Sequence, residues 1–377
     1  MHGYISRSMN EKLISKINNS PAVAILGARQ CGKTTLAKNI LSNFKSVYLD
    51  LQKKSDLNKL KEPEIFFEKH RDELICLDEI QLVPELFSYL RSEIDEYRKN
   101  GRFLILGSAS RDLIKQSGET LAGRISYTDL TPLLYNEVKS EFGWQEHLLR
   151  GGFPNSLLAA DNIISYEWRE DFIRTFLERD IPKLGFLIPV PIMDKLWRLL
   201  SHYHGQEINY SKIAGVIDAS QQTVKKYISI LEQTYMIRLL QPYEANLKKR
   251  LVKSPKVYIR DSGILHSLLG IETFDDLLAH PSLGASWEGY AIENITAAHP
   301  GYKPYFIKTS NGAEVDLILE KGMQRKIYEF KFSKSPSPSR GFYEIIDDLK
   351  AENEPVYIVA PVDDTYEYKK NIFVTNI

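Results

Sequence analysis

The chain has 377 residues, of which 43% are hydrophobic and 26% are charged, a composition typical of a folded globular protein rather than a disordered one. Its 49 basic and 49 acidic residues give zero formal net charge, which excludes attraction of nucleic acid by the overall charge of the protein. Any surface that binds nucleic acid must therefore be a local basic patch. The length predicts two or three domains. Two cysteines, and no apolar run of the length of a signal peptide or membrane span, predict a cytoplasmic protein with neither disulfides nor a membrane partner.

A nucleotide-binding pattern occupies residues 21–41, PAVAILGARQCGKTTLAKNIL, which predicts a short strand, a glycine-bounded loop and a helix. Gly27–Thr34 match G-x-x-x-x-G-K-T, a spacing that lets backbone N–H groups surround phosphates at a helix N-terminus. We expect Lys33 to contact the β- and γ-phosphates of ATP and the Thr34 hydroxyl to ligate Mg²⁺. A chance match is the alternative, and the flanking strand and helix disfavour it. The predicted nucleotide-binding residues are Gly27, Ala28, Arg29, Gln30, Cys31, Gly32, Lys33, Thr34 and Thr35.

Two acidic residues end a second apolar segment, ELICLDEIQ, where Asp78 and Glu79 close a predicted strand. In P-loop ATPases an acid at such a strand end holds Mg²⁺, and an adjacent glutamate polarises the attacking water. Asp78 is therefore predicted to bind Mg²⁺, and Glu79 to act in catalysis together with Lys33. The alternative is a solvated acidic cap on a strand that ends at the surface, which the upstream phosphate loop disfavours.

Ser108 and Arg124 are further catalytic candidates. Ser108 ends the predicted strand RFLILGSAS, where a sensor of the γ-phosphate is expected, and Arg124 lies in LAGRISYTDL. In ring ATPases an arginine from a neighbouring copy completes the site, which here implies a homo-oligomer. A strand-end hydroxyl and a surface ion pair explain these two residues equally well. Because strands alternate with helices in this region, it is predicted to be an α/β domain with a parallel sheet.

The middle of the chain, after the glycine-rich boundary LRGGFP, has a helical pattern. Residues 208–243 predict two helices joined by a turn and followed by a strand pair, the layout of a winged helix-turn-helix. Ser220 is expected to cap the second helix. DNA binding and a packing role within an ATPase are both consistent with this pattern. The residues expected at the exposed start of the second helix are Gln221, Gln222, Lys225 and Lys226.

A basic run follows at 246–260, NLKKRLVKSPKVYIR. It fits a surface that follows a phosphate backbone, and it fits equally a solvated linker, which is the usual meaning of such a run. Its basic members are Lys248, Lys249, Arg250, Lys253, Lys256 and Arg260.

Charged residues interrupt a predicted β-hairpin at 314–331, EVDLILEKGMQRKIYEFK. If the turn centres near Gly322 and Met323, Asp316 faces Glu329 directly across the hairpin. Two opposed carboxylates repel and should destabilise the strand pair. A bound metal ion is one compensation for that repulsion, and the alternative is an exposed charged face of the hairpin.

The same hairpin carries Lys331 on the face of Asp316 and Glu329, and Glu288 lies on a preceding predicted helix. A helix carboxylate, an Asp and an E-x-K sequence form the layout of metal-dependent phosphodiesterases of the restriction-endonuclease type. In that interpretation Asp316 and Glu329 bind Mg²⁺ or Mn²⁺, Glu288 orients the ligands, and Lys331 activates water or stabilises the developing phosphate charge.

The whole chain resembles a widespread prokaryotic family of AAA-type P-loop ATPases followed by a C-terminal domain of unknown function. The resemblance rests on GARQCGKTT, LDEIQ, LGSAS, LAGR, LRGGFP, SPKVYIRDSGI and GAEVDLIL…YEFK, which lie within residues 20–335. It implies an ATPase whose C-terminal domain has the restriction-endonuclease-like, or PD-(D/E)xK, fold. That fold also hosts inactive relatives, so the resemblance does not imply cleavage.

Three domains are therefore predicted: an AAA-type ATPase domain at 1–150, a helical and winged-helix domain at 151–250, and a nuclease-like α/β domain at 251–377. ATP and Mg²⁺ are the expected ligands, with a second Mg²⁺ or Mn²⁺ site in the C-terminal domain and DNA as the expected partner. The alternative function is an ATP-dependent switch or regulator whose C-terminal domain binds a partner without cleaving it.

Overall fold

The computed structural model describes residues 3–108, 121–244, 251–351 and 354–377, and these divide into two compact units. The first unit consists of Met1–Leu133, Asp180–Phe186 and Gln233–Tyr235, and the second of Leu134–Arg179, Leu187–Glu232 and Met236–Ile377. The predicted nucleotide-binding residues lie in the first unit. Most of the predicted middle region and all of the predicted C-terminal region lie in the second.

A parallel sheet forms the centre of the first unit. Its strands in the described residues are β1 (Ala22–Leu26), β2 (Ser46–Asp50), β3 (Leu74–Asp78), β4 (Phe103–Gly107) and β5 (Ile125–Asp129). They pair in the order β2-β3-β4-β1-β5, with every pairing parallel. All residues of β1, β3 and β4 are buried, as expected for strands covered on both faces. The predicted parallel α/β architecture of this region is confirmed.

Helices connect these strands and continue through the second unit. In chain order the described helices are α1 (Asn10–Asn19), α2 (Lys33–Leu41), α3 (Lys54–Lys59), α4 (Pro63–Lys69), α5 (Leu86–Glu96), α6 (Tyr135–Val138), α7 (Trp144–Arg150), α8 (Pro154–Leu157), α9 (Asn162–Thr175), α10 (Ile181–Lys183), α11 (Val190–His202), α12 (Tyr210–Ile217), α13 (Gln221–Gln233), α14 (Ser262–Leu269), α15 (Phe274–Ala279), α16 (Leu283–Ala298) and α17 (Arg340–Asp348). A 3₁₀ turn at Ile80–Leu82 follows β3, and a π-helix at Phe176–Asp180 follows α9.

A mixed sheet forms the centre of the second unit. Its strands within the described ranges are β6 (Gln206–Glu207), β7 (Ile237–Pro242), β8 (Lys256–Ile259), β9 (Lys303–Lys308), β10 (Glu314–Lys321), β11 (Gln324–Phe330), β12 (Val356–Val359), β13 (Tyr366–Lys369) and β14 (Ile372–Thr375). They pair in the order β13-β14-β12-β11-β10-β9-β7-β8-β6.

This sheet is continuous across the domain boundary predicted at residues 250 and 251. Strand β7 pairs with β8 in antiparallel fashion and with β9 in parallel fashion, so it joins the predicted middle and C-terminal regions. The two regions share backbone hydrogen bonds and one compact unit. Composition could not indicate this, because strand pairing joins segments that are far apart in sequence.

Helices α12 and α13, together with the antiparallel set β6-β8-β7, have the element order predicted for a winged helix-turn-helix. Asp218, in the left-handed region at φ 53°, ends α12. The Ser220 hydroxyl accepts a hydrogen bond from the Thr223 N–H at 3.0 Å, so the predicted cap of α13 is confirmed. Identification as a winged helix-turn-helix remains a prediction.

Two apolar cores cover opposite faces of the larger sheet. Leu317 and Tyr328 are paired across β10 and β11 and pack with Trp287 of α16 in one core. The next pair, Ile318 and Ile327, packs in the other core, which also contains residues of α17. This alternation is the period of two expected of a strand pair that is buried on both faces. Among the helices described, none combines the length and apolarity needed to cross a membrane.

Candidate functional site

The phosphate loop, Gly27–Thr35, connects the C-terminal end of β1 to the start of α2. Its backbone requires glycine at two points. A Cβ atom on Gly27 would lie 2.2 Å from the Leu130 carbonyl oxygen, and Gly32 has φ 100°, in the left-handed region. The loop leads directly into the N-terminus of α2, where the helix dipole and free N–H groups favour an anion.

Lys33 lies inside this loop. Its side chain is buried, and Nζ donates to the carbonyl oxygens of Gly27 at 3.0 Å and Ala28 at 2.7 Å. The backbone of the loop therefore holds the ammonium group at the place where the sequence pattern predicts phosphate binding.

The Mg²⁺ ligands predicted from the sequence are brought together. Thr34 Oγ1 donates to Asp78 Oδ2 at 2.7 Å, which joins the start of α2 to the end of β3. A hydroxyl and a carboxylate at the end of a phosphate loop are hard oxygen donors of the kind that Mg²⁺ prefers, so Thr34 and Asp78 fit the role of holding that ion.

Tyr48 also belongs to this site, although sequence analysis did not identify it. Its hydroxyl on β2 donates to Asp78 Oδ2 at 2.7 Å, the same oxygen that accepts from Thr34. Burial, and then this hydrogen bond, raise the pKa of Tyr48 well above its usual value. Tyr48 pairs with Cys76 on β3, and Asp78 lies two residues after Cys76. Because side chains alternate along a strand, Tyr48 and Asp78 point to the same face of the sheet. The sequence alone carries only a weak signal of this contact.

Glu79, the predicted catalytic carboxylate, has an unusual backbone and a fixed side chain. Its φ of 60° places a non-glycine residue in the left-handed region, a strain found often at functional sites. Oε2 accepts from the Ser108 hydroxyl at 3.2 Å and from the side-chain amide of Gln81. Gln81 Nε2 also lies 2.9 Å from Ser108 Oγ. The predicted pair Glu79 and Ser108 is therefore in contact, and Gln81 is a third member that sequence analysis missed.

Arg29 of the phosphate loop forms an ion pair with Asp180, at the end of the π-helix. Both residues belong to the first unit, although they are 151 positions apart in sequence. Hydrogen bonding to Asp180 raises the pKa of Arg29 above its usual value. No local pattern links these two residues, so only the tertiary structure identifies Asp180 as a neighbour of the loop.

Arg124 lies away from its own phosphate loop. It directly precedes β5, which pairs with β1 in parallel register from Ala22–Ile125 to Leu26–Asp129. The side chain is therefore attached at the end of the sheet opposite the loop, about 20 Å away along the strand, which is the rise of six residues at about 3.3 Å each. Its guanidinium donates to both carboxylate oxygens of Asp95, at 2.6 and 2.8 Å. Contact with phosphate within the same chain is excluded by this position, whereas the predicted role at a neighbouring copy remains a prediction.

The C-terminal hairpin has the register that the sequence predicted. Leu317 pairs with Tyr328, and Lys321 pairs with Gln324 at the turn. One further step in this register places Asp316 opposite Glu329. The pairing of β10 with β9 shifts between Val315 and Ile318, a bulge of the kind that re-aims side chains near sites. Asp316 Oδ2 accepts from the Phe330 N–H at 2.9 Å.

Lys256 lies beside the carboxylate cluster formed by Glu288, Glu314, Asp316 and Glu329 and contacts two of its members. Its side chain is 3% exposed, and Nζ pairs with Glu288 Oε1 at 3.1 Å and with Glu314. Burial by itself lowers the pKa of Lys256, but Glu288 and the other acidic neighbours outweigh it and raise that pKa well above its usual value. The prediction that Lys256 belongs to a phosphate-binding or solvated basic run is wrong for this residue.

The remaining carboxylates of this carboxylate cluster are also engaged. The Tyr258 hydroxyl donates to Glu288 Oε1, and Lys331 Nζ donates to Glu329 Oε1 at 2.7 Å. Burial, then the charges of Glu288 and Glu329, raise the pKa of Asp316 well above its usual value. A cleft of about 410 Å³, lined in part by Glu288 and Asp316, opens beside these groups.

The predicted C-terminal metal site does not fit this arrangement. In the described ranges no three His, Cys, Asp or Glu side chains are grouped so as to hold a metal ion. One oxygen of each predicted carboxylate ligand already accepts a hydrogen bond: Glu288 Oε1 from Lys256 and Tyr258, Asp316 Oδ2 from the Phe330 N–H, and Glu329 Oε1 from Lys331. The second oxygen of Glu329, Oε2, is buried and has no hydrogen-bond partner.

The other predicted contact surfaces are partly described. Gln221, Gln222, Lys225 and Lys226 are exposed at the start of α13, as expected. From the basic run, Lys248, Lys249 and Arg250 lie outside the described residues. Lys253 is exposed, and Arg260 pairs with the buried Glu293 at 3.0 Å. The described part of the run is therefore not one continuous basic surface.

Three known protein families match separate parts of this chain. Residues 19–139 match the AAA domain family, residues 141–275 match a domain of unknown function, DUF8612, and residues 283–377 match another, DUF4143. Two mycobacterial proteins described as uncharacterized, Rv2008c of Mycobacterium tuberculosis and Mb2031c of Mycobacterium bovis, are each 38% identical over 344 residues. The alignment covers 91% of this chain and 78% of each relative. The chain belongs to their family.

This chain thus combines an AAA domain with matches to two further domains of unknown function. A solved structure, the Walker-type ATPase PABY2304 of Pyrococcus abyssi, resembles the chain with a TM-score of 0.50 at 15% identity. It covers 71% of this chain and 96% of that chain. At this level of identity the likeness concerns the fold alone, and it supports the P-loop ATPase fold of this family member.

Proposed function

We propose that the chain is a Mg²⁺-dependent ATPase. The observation that carries this proposal is the contact between the Thr34 hydroxyl and Asp78 Oδ2 at 2.7 Å, at the end of a loop that buries Lys33. A phosphate-binding lysine, a hydroxyl and a carboxylate in this relation are the parts that P-loop enzymes use. Glu79 and Ser108 lie beside them in mutual hydrogen-bond contact.

In the proposed reaction a water molecule attacks the γ-phosphorus, the bond to the ADP oxygen breaks, and Glu79 accepts the proton of the water. Lys33 binds the β- and γ-phosphate oxygens, and Ser108 and Gln81 hold the Glu79 carboxylate in place. Thr34 and Asp78 hold Mg²⁺, which when bound neutralises charge on the phosphate oxygens. The fixed position of Glu79 matters because proton transfer requires hydrogen-bond reach.

The test compares two variants that should fail at different steps. Lys33→Ala should lose both hydrolysis and nucleotide binding, because it removes the direct phosphate contact. Glu79→Gln should retain ATP and reduce turnover by about 100-fold or more, because the amide cannot accept a proton. Binding of a fluorescent ATP analogue and release of inorganic phosphate are measured on the same preparations. Wild-type turnover by Glu79→Gln would contradict the role of Glu79.

DNA is proposed as the partner because polar and basic side chains are exposed at the N-terminus of α13. Gln221 and Lys225 are exposed there, and the Lys225 ammonium lies 5.3 Å from the centre of the Tyr210 ring. If DNA binds, ATP turnover should rise with added duplex, and Lys226→Ala should weaken binding with a smaller salt dependence. Turnover that is slow and indifferent to DNA would instead favour a nucleotide switch whose second unit binds another partner.

A specific observation favours that switch over cleavage. Glu288 Oε1 accepts hydrogen bonds from Lys256 and Tyr258, and Glu329 Oε1 accepts one from Lys331, so two of the carboxylates predicted to act in a nuclease are bound to donors of the protein itself. The unpartnered Glu329 Oε2 and the hairpin register, which places Asp316 opposite Glu329, support the nuclease prediction. We therefore do not include DNA cleavage in the proposed activity.

A further inference from the structure

Lys256 is a buried cation that pairs with acidic side chains from two other elements. It begins β8, whereas Glu288 lies on α16 and Glu314 begins β10. Its Nζ pairs with Glu288 Oε1 at 3.1 Å and also with Glu314. An ammonium group is buried at this depth only when opposite charges compensate for the loss of its hydration.

The two carboxylates that hold Lys256 are themselves tied to further donors. Glu288 Oε1 also accepts from the Tyr258 hydroxyl, and Glu314 Oε2 pairs with Lys308 at 3.3 Å. Lys308 in turn pairs with Glu207 at 2.9 Å. The ammonium groups of Lys256 and Lys308 thus neutralise Glu288 and Glu314 from inside the protein.

A divalent cation and the Lys256 ammonium exclude each other at this place. A metal bound to Glu288 would need its oxygen at about 2.1–2.4 Å, whereas that oxygen already faces an ammonium nitrogen at 3.1 Å. The two cations would then lie within a few ångströms of one another in a buried setting, where like charges repel strongly. Displacing Lys256 would leave an unpaired buried charge, which is also unfavourable.

We infer that Lys256 is the resident cation of the carboxylate cluster and that the wild-type protein binds no divalent metal there. The restriction-endonuclease pattern of Glu288, Asp316, Glu329 and Lys331 is present, but Lys256 pairs with Glu288, the helix carboxylate of that pattern, and with Glu314. This inference goes beyond the proposed ATPase and does not depend on it.

The experiment counts Mn²⁺ bound to the full-length, nucleotide-free protein from the loss of the free-ion EPR signal. Wild type is compared with Lys256→Met and with the matched control Lys308→Met, which removes a lysine of the same network at its more exposed edge. The ATPase site is the same in all three proteins, so any Mn²⁺ it binds cancels in the comparison. Lys256→Met should bind one Mn²⁺ more than wild type, and Lys308→Met should bind the same number as wild type.

A further substitution locates the added ion. Asp316→Asn combined with Lys256→Met should abolish the additional Mn²⁺, whereas Asp316→Asn alone should leave the wild-type count unchanged. If Lys256→Met does not fold, Lys256→Met with Glu314→Gln removes the cation together with one of its carboxylates, and the same gain is expected. Loss of an Mn²⁺ from wild type on Asp316→Asn would overturn the inference, and so would a folded Lys256 variant that gains none.

Discussion

The carboxylate of Asp78 is held by two hydroxyl groups, those of Thr34 and Tyr48, which both donate to Oδ2. When Thr34 turns to a metal ion, Tyr48 remains as the donor that orients Asp78. Groups that hold a metal-associated carboxylate in this way typically affect metal affinity strongly. Tyr48 is thus a positioning residue of the proposed site and does not itself contact phosphate.

Tyr48→Phe should raise the Mg²⁺ concentration needed for half-maximal ATP hydrolysis by about 10-fold or more, because it removes one hydrogen bond to Asp78. Binding of nucleotide without Mg²⁺ should stay near the wild-type value, since Lys33 and the loop are unchanged. Titration of turnover with Mg²⁺ at saturating ATP measures the first quantity. A fluorescent nucleotide in the presence of chelator measures the second.

Tyr89→Phe is the matched control. It also removes one tyrosine hydroxyl, and Tyr89 is partly buried against the apolar core of the first unit. Its Mg²⁺ dependence should equal that of wild type. Equal Mg²⁺ curves for Tyr48→Phe and Tyr89→Phe would reject the positioning role of Tyr48.

At the scale of secondary-structure elements, His266 links three segments of the second unit. It lies on α14, its Nδ1 is 3.1 Å from the Leu149 carbonyl oxygen of α7, and its Nε2 is 2.7 Å from Ser286 Oγ of α16. Burial lowers the pKa of His266 to about 3. The folded protein therefore keeps this ring neutral over the range in which an unfolded histidine gains a proton, near pH 6.5.

The consequence is a loss of stability on acidification. Below about pH 6.5 the unfolded chain binds one more proton at His266 than the folded chain, so the free energy of unfolding falls as pH decreases toward 3. The contribution is up to about 1.4 kcal/mol per pH unit. His266→Gln should be less stable than wild type at neutral pH, and that difference should shrink as pH falls.

Urea unfolding followed by tryptophan fluorescence at about pH 7.5 and about pH 5.5 measures this slope. His202→Gln is the control, since His202 is exposed at the end of α11 and its substitution should leave the pH slope at the wild-type value. If wild type and His266→Gln differed in free energy of unfolding by the same amount at both pH values, the buried ring would not be neutral in the folded protein.

For the whole molecule, the position of Arg124 makes a prediction about assembly. It is bound to Asp95 at the end of the sheet opposite its own loop, so it can complete a nucleotide site only in another copy. Arg124→Ala should therefore lose most ATP turnover. Mixing it with Lys33→Ala should restore part of that turnover. At some interfaces the intact phosphate loop of an Arg124→Ala copy then meets the intact arginine of a Lys33→Ala copy.

Phosphate release from mixtures at several ratios measures the restoration, and light scattering with ATP present measures the mass. Arg91→Ala, on α5, is the comparison, because it also removes a positive charge close to Asp95. A protein that stays monomeric with ATP and turns over normally would exclude action between copies.

Local patterns in the sequence determined the phosphate loop, the acids at the end of β3 and the register of the hairpin. Each depends on residues within about one strand or one turn of each other, where chain geometry leaves few alternatives. The capping role of Ser220 was predictable for the same reason. The parallel sheet of the first unit followed from the alternation of strands with helices.

The tertiary structure alone decided which distant residues meet. Tyr48 reaches Asp78 across two neighbouring strands, Arg29 meets Asp180 over 151 positions, and Lys256 enters a carboxylate cluster formed by other elements. Lys256 lay in a basic run that composition assigns to solvent, and its burial follows from the pairing of β8 within the larger sheet. The sequence shows which side chains are charged. Which side chains they contact depends on the order of strands in the sheet, and no local sequence pattern specifies that order.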